Sequence, residues 1–428
     1  MWALTVPAAW TESAKQLMRQ AAVLAGIVSH PRSRNLALLY EPEAAAMAII
    51  KHQVQPLPFA EGKTFVVVDA GGGTVDITAH EVLRQDGQLA LSELTHSVGV
   101  MAGSTNIDEK FQQHVRDLFG PEDFDNWMLQ HPQMFSKIKH KAWEAAKKNF
   151  DGTKGIALDI PGRMVTSLPY GVLERLEAQG CVDDEIVVSV ELMKAWFDTV
   201  IDDIIRAVED TLARVSDTGN TVDYMLIVGG FGGSPYLIAK LREAFSNQVG
   251  EVVCPGVPSQ AVLKGAVLYA QSPSTVYARR SKFAYGVKCM TAWHMGMERE
   301  KMYTESTTQT RLCKDHFDCM VQYDQLVEHD QVVEHTFTAT GKPDSRFQSM
   351  VPVRIYACSN NTDSCTTDAS MRQIATMMLT ITDPTKVDPP EDYKIKVSFS
   401  FGSAEFHVVA KDPYTGEEIE TDVVFIAS

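Results

Sequence analysis

Phe65-Val66-Val67-Val68-Asp69-Ala70-Gly71-Gly72-Gly73-Thr74-Val75-Asp76 is the stretch on which the fold turns. Its apolar start reads as a strand buried on both faces, the kind found under helices in α/β proteins. Three glycines then break the strand, and Val75 to Val82 alternates like a half-buried strand. Leu89 to Leu94 predicts a third. Glycine lets the backbone approach a ligand closely, and its N–H groups can point at phosphate oxygens. Thr74 adds a hydroxyl. Asp69 repels phosphate, so beside such a turn it makes sense only with a hydrated Mg2+ between the two. A plain β-hairpin with a glycine turn fits the same residues.

Upstream, Leu4-Thr5-Val6-Pro7 predicts a short strand, Trp10 to Ala25 a helix, and Leu36 to Tyr40 a second strand. That strand runs into Glu41-Pro42 and an alanine-rich helix. Strand and helix alternate as in an α/β domain. Glu41 at a strand–helix junction suits a carboxylate that orders a water or a metal-bound water. It equally suits a helix N-terminal acid favoured by the macrodipole.

Downstream, Ile107, Phe111, Val115 and Leu118 mark a helix, and Lys137 to Phe150 reads as a basic one. Residues 151 to 185 read as short strands and loops. A long apolar-striped helix follows Ser189. Met225 to Val228 is a buried strand that ends in Gly229-Gly230-Phe231-Gly232-Gly233-Ser234, and Pro235 opens another helix. Open backbone at a helix amino terminus is an anion-binding arrangement. The same glycines also allow close helix–sheet packing. The turn is neither a GxxxxGK[ST] loop nor a Rossmann fingerprint. Two such turns, one beside an aspartate, suggest nucleotide held between two lobes. Pro258 to Ala270 is a further helix.

From Ser272 the texture becomes β-rich. Lys394, Lys396, Ser398 and Ser400 alternate with Ile395, Val397, Phe399 and Phe401. That period of two is a one-sided antiparallel strand, and several such runs between turns indicate a sandwich. The expected strands are Phe337 to Thr340, Val351 to Cys358, Thr376 to Thr382, Tyr393 to Phe401, Glu405 to Lys411 and Thr421 to Ile426.

The chain has 428 residues, 45% apolar and 22% charged, values that exclude disorder, collagen and coiled coil for the whole. The net charge of −16 disfavours nonspecific nucleic-acid or acidic-membrane binding. No run approaches the ~20 apolar residues of a membrane span. Nothing near Met1 to Trp10 reads as a secretory signal. Seven scattered cysteines suit a reducing cytosol, so the expectation is cytoplasmic. Cys313-x5-Cys319 with His316 between them could be half a metal site, although structural zinc usually needs two close pairs. The sequon at Asn360-Asn361-Thr362 means little without a secretory route.

The motifs together resemble the nucleotide-binding domain of heat shock protein 70 (DnaK-type) chaperones. Leu4-Thr5-Val6-Pro7-Ala8-Ala9, Tyr40-Glu41-Pro42-Glu43-Ala44-Ala45-Ala46, Val68 to Asp76 and Val228-Gly229-Gly230 occur in that family's order. The tail around Asp412-Pro413-Tyr414-Thr415-Gly416-Glu417 resembles the end of its substrate-binding sandwich. Phe231-Gly232-Gly233-Ser234 and the divergent tail look most like the atypical heat shock protein 12 branch.

The resemblance implies an actin-like ATPase fold, with its RNase H-like motif, followed by an antiparallel β-sandwich. It divides the chain into 1–62, the remainder of lobe I; 63–271, lobe II; and 272–428, a substrate-binding-like part. It implies ATP or ADP with Mg2+, stress response, and unfolded or extended polypeptide clients or a protein partner. By position, Asp69 would hold Mg2+ through water, Gly71, Gly72, Gly73 and Thr74 would touch the β- and γ-phosphates, and Glu41 would order the hydrolytic site. Gly103, Ser104 and Thr105 would approach ribose and phosphate. Glu144, Lys147 and Lys148 would contact the nucleoside, although two lysines on a solvated helix face fit as well. Gly229, Gly230 and Ser234 would flank adenosine. Pro7 matches a proline thought to relay nucleotide state.

Departures from the family pattern set the functional expectation. The family begins with another glycine- and threonine-bearing hairpin and a catalytic lysine, and neither stands upstream of Leu4 here. Ser259 follows Pro258 where an acid is usual. No apolar–acidic linker follows Gln271, and no helical lid follows Ser428. The expectation is an incomplete first lobe, a partial cleft, and ATP hydrolysis that is weak or lost. The alternative is a nucleotide-independent interaction or scaffold protein that uses its β tail. A small-molecule kinase of the actin-like superfamily stands third, because a β-sandwich follows where a second actin-like half is usual.

Overall fold

The computed structural model describes residues 1–52, 59–178, 185–294, 302–304, 309, 311–339, 350–360, 365–381, 387, 393–401 and 404–422. Thr64–Ala70 runs through the middle of a seven-stranded mixed sheet. It pairs antiparallel with Val75–Gln85 across the glycine turn and parallel with Tyr224–Val228. Gln88–Val100 continues the meander, and Glu251–Val253 closes the far edge.

Period two explains the continuous apolar run. Val66 and Val68 face one apolar cluster, with Ile107, Phe111 and the helix Val190–Asp217. Phe65 and Val67 face another, with the helices Glu41–His52 and Ala261–Gln271. Both faces are covered, so no polar alternation is needed. The two helices approach closely through small residues. A Cβ on Gly265 would lie 1.6 Å from the Ala44 carbonyl oxygen, so only glycine fits there.

Trp2–Val6 and Leu36–Tyr40 form a two-stranded parallel sheet beside this body. Glu12–Leu24 connects them, capped by the Thr11 hydroxyl, which accepts from the Ala14 N–H at 3.3 Å. Between residues 151 and 185 there is more helix than the sequence suggests. Ile156–Asp159 pairs with Glu185–Val188, but Gly162–Val165 and Tyr170–Ala178 are helical. Val172 and Leu176, four apart, are buried against the large core, which decides the conformation. The basic segment is three short pieces, Pro132–Lys137, a π-helical turn Ile138–Trp143, and Glu144–Asn149.

The large sheet runs past residue 272. Val276–Arg280 pairs parallel with Gln88–Val100, and Leu326–Glu328 pairs antiparallel with Val276–Arg280. Ala284–Ala292, Met302–Thr304, Arg311–Val321, Met350–Cys358 and Met371–Thr380 form a five-stranded antiparallel sheet. Val332–Thr338, Lys394–Ser400, His407–Lys411 and Glu418–Asp422 form a four-stranded one. Ile355, Ile374 and Leu379 from the first share a core with Val397, Phe399 and Val408 from the second.

Cys313 and Cys319 do not form half a metal site. Cys313 is buried and Cys319 exposed on one strand, Arg311–Val321. Six residues of strand hold them about 20 Å apart, so they cannot share a metal. Cys181, and Asn361 and Thr362 of the sequon, lie outside the described residues. No helix among the described residues is long and apolar enough to cross a membrane.

Candidate functional site

The strand ends of the large sheet bring Asp69 and the two glycine turns together, and Glu41 approaches from the neighbouring two-stranded sheet. Asp69 is the second-last residue of its strand and is 5% exposed. Gly229, which ends the parallel neighbour Tyr224–Val228, packs directly on it. A Cβ there would meet the Ala70 carbonyl oxygen at 2.3 Å and Asp69 Oδ1 at 2.5 Å, and φ is +88°. Both facts require glycine. The Phe231 and Gly232 amides donate to the Ala70 carbonyl at 2.9 and 3.2 Å. Thus the second glycine turn is fastened to the first strand.

The turn Gly71–Thr74 is a hairpin, closed by the Gly71 N–H donating to the Thr74 carbonyl at 3.0 Å. Gly72 and Gly73 stay exposed. The loop Gly103–Thr105 is laced to it. Its three amides donate to the carbonyls of Gly73, Gly71 and Gly72 at 3.2, 3.2 and 2.8 Å. Gly103 is obligatory, since a Cβ would lie 2.1 Å from the Gly72 oxygen. Thr105 Oγ1 also donates to the Gly72 carbonyl at 2.8 Å, so that hydroxyl supports the turn. Ser234 caps the helix Pro235–Phe245, accepting the Leu237 N–H at 3.4 Å.

Three carboxyl groups share this end of the sheet. Burial, then Glu41 and Asp76, push Asp69 up to about 8. Burial and Asp76 push Glu41 up to about 7. Burial raises Asp76 to about 6, against the Ala9 N–H, Lys282 and Thr74, which favour its charge. Asp69 Oδ2 is buried with no hydrogen-bond partner. Among the described residues, no three acidic, histidine or cysteine side chains converge closely enough to ligate one metal ion directly. No lysine or arginine forms an ion pair with Asp69 or Glu41 among them.

Asp76 was quoted in the motif but not selected as a site residue. It proves central: it accepts the Ala9 N–H at 2.7 Å and takes the Thr74 hydroxyl at 3.3 Å. Gly99 leaves room for this, because a Cβ there would strike Ala9 and Asp76. The Asp two residues beyond the triple-glycine turn was the available signal. Pro7 lies next to this contact, and its carbonyl accepts the Trp10 N–H at 3.1 Å.

Glu144, Lys147 and Lys148 separate by burial. Lys147 turns inward. Its ammonium lies 2.6 Å from Asp108 and 2.9 Å from Glu144, and Trp143 Nε1 donates to the same Asp108 oxygen at 2.6 Å. Asp108 sits one turn into the helix Thr105–Phe119, so Lys147 braces the loop that holds the glycine turn. Lys148 is exposed and reaches Glu144 at 3.1 Å. Although burial acts upward, the two lysines hold Glu144 below the usual carboxylate range. Lys147→Met should therefore cost about 3 kcal/mol of stability by leaving Asp108 buried and unpaired. Lys148→Gln should stay within about 0.5 kcal/mol. Urea unfolding followed by tryptophan fluorescence checks both, and equal losses would contradict the assignment.

A mixed sheet with two glycine turns closed over a buried aspartate, continuous with a β-rich half, is the arrangement expected from the Hsp70-like resemblance. Comparison with known sequences agrees. The chain is 26% identical to Heat shock 70 kDa protein 12A of Homo sapiens over 491 residues, covering 99% of this chain and 70% of that protein. It is 27% identical to human Heat shock 70 kDa protein 12B over 501 residues, covering 100% and 71%. Chaperone protein DnaK of Anaplasma marginale (strain St. Maries) is 25% identical over 281 residues, 62% of this chain and 37% of that protein. Residues 60–254 match a family described as a domain of unknown function, DUF8340. Over its whole length the chain is similar to these atypical, heat shock protein 12-type members of the Hsp70 family.

Proposed function

We propose that this protein binds MgATP or MgADP at the carboxylate-lined cleft, hydrolyses ATP slowly or not at all, and holds an extended polypeptide on its β-rich half. One observation carries the nucleotide reading: the buried, unpartnered Asp69 oxygen beside two glycine turns. An anion pushed up to about 8 in such a place is stabilised by a nearby cation. Mg2+ held through water fits, since Mg2+ keeps several waters and takes one or two carboxylates plus phosphates. Asp69 would face that shell, Gly71–Thr74 the phosphates, and Gly229, Gly230 and Ser234 the adenosine. Glu144, Lys148, Gly103 and Ser104 would flank the nucleoside. When bound, the cation supplies charge neutralisation at the phosphates.

Slow turnover follows from charge. Phosphoryl transfer depends on cationic groups aimed at the developing charge. Here the groups beside Asp69 are Glu41 and Asp76; burial raises all three, and repulsion from neighbouring carboxylates adds to it at Asp69 and Glu41. In this proposal residues 1–62 belong to the first lobe, the second lobe runs on through Arg280, and the two antiparallel sheets form the sandwich. A peptide would add to an exposed sheet edge. Isothermal titration with MgATP and MgADP, with steady-state phosphate release alongside, tests it. Saturable one-site heats with turnover well below 1 per minute are expected. Heat silence at millimolar nucleotide would sink the binding claim. It would leave a nucleotide-independent interaction module.

A further inference from the structure

A cavity lies away from the glycine turns, where the first helix, the large sheet and both antiparallel sheets meet. It encloses about 510 Å³, a size typical of small-molecule sites. One wall is aromatic. Tyr285 and Phe406 lie 4.4 Å apart, Phe401 stacks on Phe406 at 5.8 Å, and Phe283 is 40% exposed.

The opposite wall is charged, and its charges do not cancel. Glu12 is satisfied by Lys15, Glu405 by a two-pronged contact with Arg19 at 2.6 Å, and Arg279 by Glu43. Lys282 and Arg372 remain. Among the described residues neither has a carboxylate within ion-pair distance. Lys282 donates to the Ala8 carbonyl and sits 5.1 Å above the Tyr40 ring. Arg280 donates to the Asp324 carbonyl at 2.8 Å and lies 3.9 Å from the Asp324 carboxylate, while its Nε is buried without a partner. Glu93 is 3% exposed, and burial with Glu43 pushes it up to about 8. Its Oε2 accepts the Arg280 backbone N–H at 2.7 Å.

We infer that this interdomain cavity binds a small amphipathic anion. Its flat or aliphatic body lies on the Tyr285–Phe401–Phe406 wall, and its acidic head faces Lys282, Arg280 and Arg372. The inference does not depend on the nucleotide reading, because none of the glycine-turn residues lines this cavity. The full chain is titrated with 1-anilinonaphthalene-8-sulfonate, read by fluorescence, with decanoate and decylamine as competitors. The variants are Arg372→Glu and Ser370→Trp, both at exposed positions on the lining, so the fold is kept. Expected are one site per chain, displacement by decanoate but not by decylamine, and at least tenfold weaker binding in each variant. Equal competition by decylamine, wild-type affinity in both variants, displacement by ADP, or no saturable binding would each overturn it.

Discussion

Asp69→Asn raises the melting temperature of the nucleotide-free protein at pH 8. Asp69 is raised from 3.8 in the unfolded chain to about 8 in the folded one, chiefly by burial. A carboxyl raised on folding contributes its stability below its unfolded value and loses it as pH climbs through the folded one. Glu41 and Asp76, raised to about 7 and about 6, act in the same direction. The cluster therefore erodes stability between about pH 4 and pH 8. The asparagine variant removes the deepest charge. It should gain a few kcal/mol at pH 8, on the order of what a shift of several units implies. It should also flatten the pH dependence of unfolding in that window. Calorimetric scans at pH 5, 6.5 and 8 check this. A lower melting temperature at pH 8, or an unchanged pH slope, would contradict the burial argument.

Glu43→Ala should be the most damaging single change outside the site. Glu43 is fully buried on the helix Glu41–His52. It accepts two hydrogen bonds from Arg279, at 2.6 and 3.1 Å, and ties that helix to the strand Val276–Arg280. Burial works against the Arg279 charge, but Glu43 holds the guanidinium firmly protonated. Next to it, burial and Arg279 lower His80 to about 3, so that ring is neutral and cannot add repulsion. Deleting Glu43 leaves a buried cation uncompensated, at a cost of about 3–5 kcal/mol. The double variant Glu43→Met with Arg279→Met should recover most of that, because an apolar pair of similar size needs no desolvation. Guanidinium unfolding of the two singles and the double completes the cycle. A single-variant loss below about 1 kcal/mol would show that the pair is not buried as drawn.

What was readable from the sequence was what depends on adjacent residues. The run Phe65–Asp69, the triple glycine after it and the strand–turn–helix at Gly229–Ser234 are each local patterns, and each became the expected element. Asp69 and the two turns meet because the parallel strands Thr64–Ala70 and Tyr224–Val228 end together, and Glu41 comes from the neighbouring two-stranded sheet. Val276–Arg280 was missed as a strand, since its polar residues Tyr277, Arg279 and Arg280 mask the pattern. Only pairing with a strand some 180 residues earlier decides its fate. Arg311–Val321 was missed because Lys314, Asp315, His316 and Asp318 interrupt any alternation. Lys147 reads as a surface lysine until Asp108, on another helix, is placed beside it. The cavity beside Tyr285 was invisible for the same reason: its walls come from eight separate stretches of the chain.

In the proposed function Asp69 serves a hydrated Mg2+ beside the glycine turns. That role is tested most directly by the Mg2+ dependence of ADP affinity, measured by isothermal titration for the wild type and Asp69→Asn at pH 7.5. Mg2+ is expected to tighten wild-type binding at least tenfold, with proton release as Asp69 ionises, and to do neither in the variant. The same Mg2+ effect in both proteins, or none in the wild type, would contradict it.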